Sequence, residues 1–157
     1  MEDAAPTRHS PKPPSGVLSV KADGNGRIKL PVRMAEYWSQ LDDKRIFATV
    51  LDGMGRMYFN GSWERNLDLL KAWPKKRKKM AFLGGSSGQD LDVDEMRRVT
   101  LPAVMRKELG LDNQQLHIQF YDDVAMIYTE AQFNAEVAAA KQELEGFFDE
   151  AEELGFV

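Results

Sequence analysis

Arg27 and Arg98 are the residues whose setting best equips them for recognition chemistry. Each follows an aspartate by four positions, Asp23 and Asp94 respectively, and each opens a short run in which apolar and polar residues alternate. A guanidinium is planar, permanently charged and rich in donors, so it makes two-point contacts with carboxylates, phosphates or the O6/N7 edge of guanine. The aspartate is not suited to meet phosphate itself, because like charges repel. Across a tight turn, however, it can cap backbone amides and orient the guanidinium. A lone D-x-x-x-R is ordinarily a turn aspartate and a surface arginine. Here the pattern stands twice in matched frames.

Asp23-Gly24-Asn25-Gly26-Arg27-Ile28-Lys29-Leu30-Pro31 is repeated by Asp94-Glu95-Met96-Arg97-Arg98-Val99-Thr100-Leu101-Pro102 at an offset of 71 residues. After one deleted residue the likeness continues at an offset of 70. There Leu41, Asp42, Asp52 and Tyr58 match Leu111, Asp112, Asp122 and Tyr128, and Trp63 matches Phe133. An ordered series of matches of this kind is a tandem duplication. Asn25-Gly26 signals a tight turn, since both residues tolerate positive φ. Ile28 and Leu30 alternate with Arg27 and Lys29, and Val99 and Leu101 with Arg98 and Thr100. A period of two sends the apolar pair to a core and the arginine to the opposite face. Pro31 and Pro102 suit the first turn of a helix, where a missing N–H costs nothing.

The copies differ at the tip. Arg97 stands where the first copy has Gly26, and Glu95 where it has Gly24. A non-glycine residue at positive φ costs about 1 kcal/mol. The second turn is therefore expected to carry strain or to adopt another type, leaving the first copy to do most of the base reading. The rival expectation is that Arg97 replaces Arg98 as the contact, supported by Glu95.

Paired repeats of the form D-x-x-G-R-hydrophobic-x-hydrophobic-P, which these two stretches follow apart from Arg97, resemble the MraZ family of bacterial transcriptional regulators, which carry two AbrB/SpoVT-type swapped-hairpin repeats in one chain. The resemblance covers roughly residues 15–141, including the helix that closes each repeat and the loop Phe82-Leu83-Gly84-Gly85-Ser86 between them. It implies an α+β fold, a double-split β-barrel built from the two repeats with amphipathic helices packed on it. It further implies that Arg27 and Arg98 read double-stranded DNA in a ring-shaped, octamer-like homo-oligomer. The targets would be short direct repeats upstream of division and cell-wall genes, its own promoter among them. Glu95 and Arg97 depart from the family pattern. The candidate DNA contacts are Arg27, Arg98, Lys29, Arg97, Asn25, Lys75, Lys76 and Arg77, with Asp23, Gly26 and Asp94 organising the turns. AbrB-type antitoxins offer the alternative, a regulator whose acidic C-terminal tail binds a protein partner, but they carry one repeat per chain.

Composition narrows the classes. The 157 residues include no cysteine and two histidines, so neither a disulfide framework nor a Cys/His zinc cluster is expected. No cofactor is expected, and no nucleophile, base or carboxylate pair suggests an enzyme. No apolar run approaches membrane-spanning length and no signal-peptide core opens the chain, so a cytoplasmic, nucleoid-associated protein is expected. The net charge of −4 argues against nucleic acid until its distribution is considered. Cations gather near the motifs and in Lys75-Lys76-Arg77-Lys78-Lys79, while six carboxylates stand together from Glu143 onward.

The expected organisation is an arm over 1–15, a first repeat over 16–73, and a basic helix with a glycine-rich connector over 74–90. A second repeat over 91–141 and an acidic tail over 142–157 complete it. The arm holds four of the seven prolines and is expected to be disordered. In the first repeat, Asp52-Gly53 reads as a hairpin turn, Ser62 as a helix N-cap, and Trp63, Leu67 and Leu70 as the inner face of a helix. Five cations at the start of the helix beginning at Pro74 oppose its dipole, which an anion such as phosphate would offset. Gly84-Gly85-Ser86-Ser87-Gly88 reads as flexible, and His117 as a surface strand residue. Thr129 and Gln132 form a capping-box pattern before a helix faced by Phe133, Val137, Ala140 and Leu144. The tail also holds Phe147, Phe148, Leu154 and Phe156, which suits either a frayed end or a sticky surface for a partner.

Overall fold

A computed structural model describes residues 11–157. The expected arm lies mostly outside that range, and residues 11–15 carry no regular secondary structure. In the first copy, β1 (Val17–Lys21) and β2 (Arg27–Lys29) flank the first turn, and α1 (Val32–Ser39) follows. A hairpin of β3 (Ile46–Leu51) and β4 (Met54–Tyr58) leads into α2 (Ser62–Asp68). The second copy repeats the plan after α3 (Pro74–Ser87): β5 (Gln89–Leu91), β6 (Arg98–Thr100), α4 (Ala103–Leu109), β7 (Gln115–Tyr121), β8 (Val124–Thr129) and α5 (Glu130–Glu143). A short α6 (Phe148–Glu153) ends it.

The copies exchange strands. The larger sheet has six antiparallel strands in the order β1-β7-β8-β4-β3-β5, so each copy's first strand pairs with the other copy's hairpin. The two hairpins join through β4 and β8. The sheet is open, with β1 and β5 as its edges, rather than closed into a barrel. The short strands β2 and β6 pair only with each other, as a separate two-stranded ribbon.

One hydrophobic core serves both copies. Ile28, Leu30, Val99 and Leu101 point inward from the ribbon, and Met34 and Met105 from α1 and α4. They meet Ile46, Ala48, Met57, Ile118, Ala125 and Ile127 from one face of the sheet. Period-2 alternation thus holds as expected, and neither copy has a core without the other. Asp123 pins the edge of this core, accepting hydrogen bonds from Tyr37 Oη and, at 3.0 Å, Arg65.

The opposite face of the sheet carries α2, α3 and α5, and each copy seats a ring cluster there. In the first, Trp63 lies 5.0 Å from both Phe47 and Tyr58, centroid to centroid. In the second, Phe133 lies 4.5 Å from His117 and 6.1 Å from Tyr128. His117 is therefore not a free surface residue. It stands where the first copy has Phe47, stacks on Phe133 and shares a 3.0 Å hydrogen bond with Ser19 Oγ.

Three local expectations are corrected. Gly61, in a left-handed conformation, caps α2, and Ser62 is the first helical residue with its hydroxyl turned to the Asp123 carbonyl. The stretch 84–87 is the last turn of α3, not a flexible connector. A Cβ on Gly84 would sit 2.3 Å from the Trp63 ring, and the Gly84 carbonyl accepts from the buried Thr49 hydroxyl at 2.7 Å. Glycine is there for close packing, and the packing overrides its poor helix propensity. The capping box at Thr129 and Gln132 is formed, but α5 runs beyond the sheet after Phe133, so Val137 and Leu144 stay exposed.

Candidate nucleic-acid interface

Each turn is built by its aspartate. Asp23 Oδ1 accepts the backbone N–H groups of Asn25 and Arg27, both at 2.9 Å, and Oδ2 accepts Arg27 Nε at 3.0 Å. Asp94 does the same with the amides of Met96 and Arg98 at 2.8 and 2.9 Å and with Arg98 Nε at 2.9 Å. The Asp23 carbonyl accepts from Gly26, and the Asp94 carbonyl from Arg97. Both carboxyls are held below the ordinary aspartate range, chiefly by the backbone amide of the arginine four residues on. Only Nε of each guanidinium is engaged, which leaves its two terminal nitrogens without a hydrogen-bond partner among the described residues.

The second turn is not remodelled. Gly26 has φ 73° and Arg97 φ 62°, so of the two outcomes expected for the second tip it is strain that occurs. Arg98 consequently sits as Arg27 does, and the two side chains are equally exposed, each at 41%. Arg97 does not take its place.

The ribbon brings the copies together. Arg27 faces Thr100, Ile28 faces Val99 and Lys29 faces Arg98. With Ile28 and Val99 turned to the core, one outward face displays Arg27, Lys29 and Arg98. Lys29 directly opposite Arg98 is a like-charge pair, in which Asp94 offsets the charge of Arg98 while no carboxylate among the described residues pairs with Lys29.

What differs is the support behind each turn. Arg106 of α4 lies where a Gly26 side chain would be, 2.2 Å from the ideal Cβ position. Its Nε and one terminal nitrogen bind both oxygens of Asp112, at 2.8 and 3.0 Å. The amide of Asn113 adds a 3.2 Å hydrogen bond to the Asp23 carbonyl. At the position matching Arg106, the first copy has Ala35. The glycine tip therefore lies against an arginine, while the copy-related helix of the arginine tip has an alanine at that position. Sequence inspection missed Arg106, Asp112 and Asn113, because nothing local ties them to a turn some 80 positions earlier.

The basic run is not part of this surface. Lys75, Lys76 and Arg77 open α3, whose far end packs on Thr49 and Trp63, on the face of the sheet away from the ribbon. Arg77 is also paired with Asp68 at 3.0 Å. Asn25 is an exposed tip residue, and its counterpart is the exposed Met96. Among the described residues, no cluster of three or more His, Asp or Glu is placed to hold a metal ion. No helix among them is long and apolar enough to cross a membrane.

No family model matches the chain. It is 30% identical over 105 residues to the transcriptional regulator MraZ of Marinomonas sp. (strain MWYL1), a match spanning 63% of this chain and 69% of that protein. The chain belongs to the MraZ family. A second MraZ, from Lachnoclostridium phytofermentans, is 28% identical over 94 residues, covering 57% of this chain and 63% of the relative. Both MraZ relatives bear the name of a regulator of transcription, not of an enzyme. The chain thus spans between three fifths and seven tenths of each MraZ relative's length.

Proposed function

We propose that this chain is a sequence-specific DNA-binding regulator of transcription whose β2–β6 ribbon enters the major groove. The carrying observation is the ribbon's register: each copy contributes one strand, and Arg27, Lys29 and Arg98 share its outward face. A two-stranded ribbon fits a major groove about 12 Å wide, and an oriented guanidinium suits the guanine edge. The exchange of first strands between repeats supports describing the architecture as a double-split barrel of swapped hairpins. Two repeats in one chain and relatives named as regulators favour this reading over a toxin-neutralising antitoxin.

One ribbon covers only a few base pairs, so specificity calls for several copies in a fixed array. Closed homo-oligomers supply such arrays, and a ring reading short direct repeats fits that need. The exposed apolar residues of the C-terminal helices, Val137, Leu144 and Phe148 among them, suit contact between copies. Promoters of division and cell-wall genes, the chain's own included, are the proposed targets, which places the protein in the cytoplasm at the nucleoid.

The test is a mobility-shift titration on the DNA upstream of this protein's own gene, beside a scrambled duplex. Wild type is expected to prefer the upstream DNA, with the preference lost in Arg27→Ala. Undiminished preference in that variant removes the reading. Light scattering at micromolar concentration is expected to give a mass well above a dimer, and a monomer would exclude the array.

A further inference from the structure

A cleft of about 320 Å³ opens where β1, the end of β2 and the second turn meet. Ser19, Lys21, Lys29 and Arg97 line it, next to the start of α1 at Pro31 and Val32. The three cations come from three separate segments of the chain. Among the described residues, none of them is in an ion pair. Three like charges around one small cleft repel one another, and the repulsion persists unless an anion occupies it.

The duplication supplies an internal control. At the offset of 71, Ser19, Lys21, Lys29 and Arg97 correspond to Asp90, Asp92, Thr100 and Gly26. The repeat-related positions therefore bring two carboxylates where the cleft has a hydroxyl and a lysine, and no cation in place of the other two. The cation that does lie there, Arg106, is already bound to both oxygens of Asp112. The cationic set is confined to one side of the ribbon. Arg97 makes it so while holding a positive φ that glycine would hold without strain. Such strain persists where a side chain at that spot is used.

We propose that the Lys21–Lys29–Arg97 cleft holds backbone phosphate of the duplex whose bases Arg27 and Arg98 contact, and that its absence on the related side gives the chain one direction on DNA. The inference rests on the DNA-binding reading above. Lys29 links the two surfaces, since it lines the cleft and also faces Arg98 across the ribbon. Lys21 extends the contact along β1.

The test is the salt dependence of binding by the full chain, on both the upstream duplex and the scrambled one. Each phosphate contact contributes about 0.9 to the slope of log K against log salt. Lys21→Ala and Arg97→Gly are each expected to lower that slope by about one contact, on both duplexes alike, with the preference for upstream DNA intact. Arg27→Ala, in contrast, is expected to lose the preference. Asp92→Ala, on the related side, is expected to leave the slope unchanged. Unchanged slopes in both Lys21→Ala and Arg97→Gly overturn the cleft while leaving base reading by Arg27 standing. Inorganic phosphate titrated at constant ionic strength forms the second arm. If it competes with DNA on the wild type but not on Lys21→Ala, and the salt slopes match, the cleft is a free-anion site and the assignment to backbone phosphate fails.

Discussion

The two turns have the same hydrogen bonds and different neighbours. Asp23 and Asp94 each fix two amides and one guanidinium, so the presentation of the arginine is set within five residues. What lies behind the turn is set by the other copy. The first is braced by Arg106, Asp112 and Asn113, and a side chain at its glycine tip would have to displace Arg106. The second has no such arginine at the related position, which is Ala35, and its tip carries an arginine despite the cost in backbone strain. Duplicated recognition elements can therefore keep identical chemistry at the contact while diverging in mechanics and charge one layer away.

The sharpest way to break this comparison is Gly26→Ala. A left-handed φ and a Cβ 2.2 Å from Arg106 are both against it, and Arg106 can yield only by leaving Asp112. A loss of about 1–3 kcal/mol is expected in denaturant unfolding. Adding Arg106→Ala, which reproduces the second copy's spacing, is expected to recover part of that loss in a double-mutant cycle. Strict additivity would mean that Arg106 does not dictate the glycine.

Next come the arginines themselves. Because both are anchored alike and equally exposed, Arg27→Ala and Arg98→Ala are each expected to cost about 1–3 kcal/mol on specific DNA. That equality replaces the dominance of Arg27 expected from the sequence. A large gap between the two variants in side-by-side titrations would show that the surroundings, not the turns, govern the contact.

A smaller effect is expected from Arg97→Gly. Relief of the positive φ should stabilise the fold by up to about 1 kcal/mol, seen as a higher Tm, while the same substitution weakens DNA binding. A lower Tm would mean that the Arg97 side chain makes packing contacts worth more than the strain.

The smallest effect concerns acid. Both turn aspartates have folded-state pKa values below the unfolded value of about 3.9. Their contribution to stability is therefore present above that value and is lost as pH falls through the depressed folded-state pKa. Asp94→Asn should flatten the acid limb of the stability profile, as should Asp23→Asn. An unchanged limb in both would remove the turns from the account of acid sensitivity.

Much of this was legible in the sequence because it depends on near neighbours. The Asp–Arg spacing, the alternation of Ile28 and Leu30, the helix-starting Pro74 and the capping box at Thr129 all act within a few residues. Pro31 and Pro102, by contrast, stand one step before their helices, as extended N-cap residues rather than in the first turn. What stayed hidden depends on residues far apart in the chain. Glycines at 84 and 85 signal flexibility by local propensity, and only the Trp63 ring explains why the helix keeps Gly84. Alternation placed His117 on the correct face of β7, but α5 covers that face, so the residue stacks on Phe133 instead of meeting solvent. The basic run looked like part of the recognition surface because the order of residues does not reveal which side of a sheet a helix will take.

Strand exchange also sets a schedule for the newborn chain. Val17 pairs with Gln119, 102 residues later, and Ile28 with Val99, 71 residues later. At a synthesis rate of about 5–20 residues per second, β1 waits roughly 5–20 s for its partner to be made. During that interval the first copy holds unpaired strands and uncovered apolar side chains, and the strands that would complete it are identical on every neighbouring ribosome of the same message. Pairing within one chain thus races pairing between chains, and the outcome depends on how fast the message is read as well as on the fold it encodes.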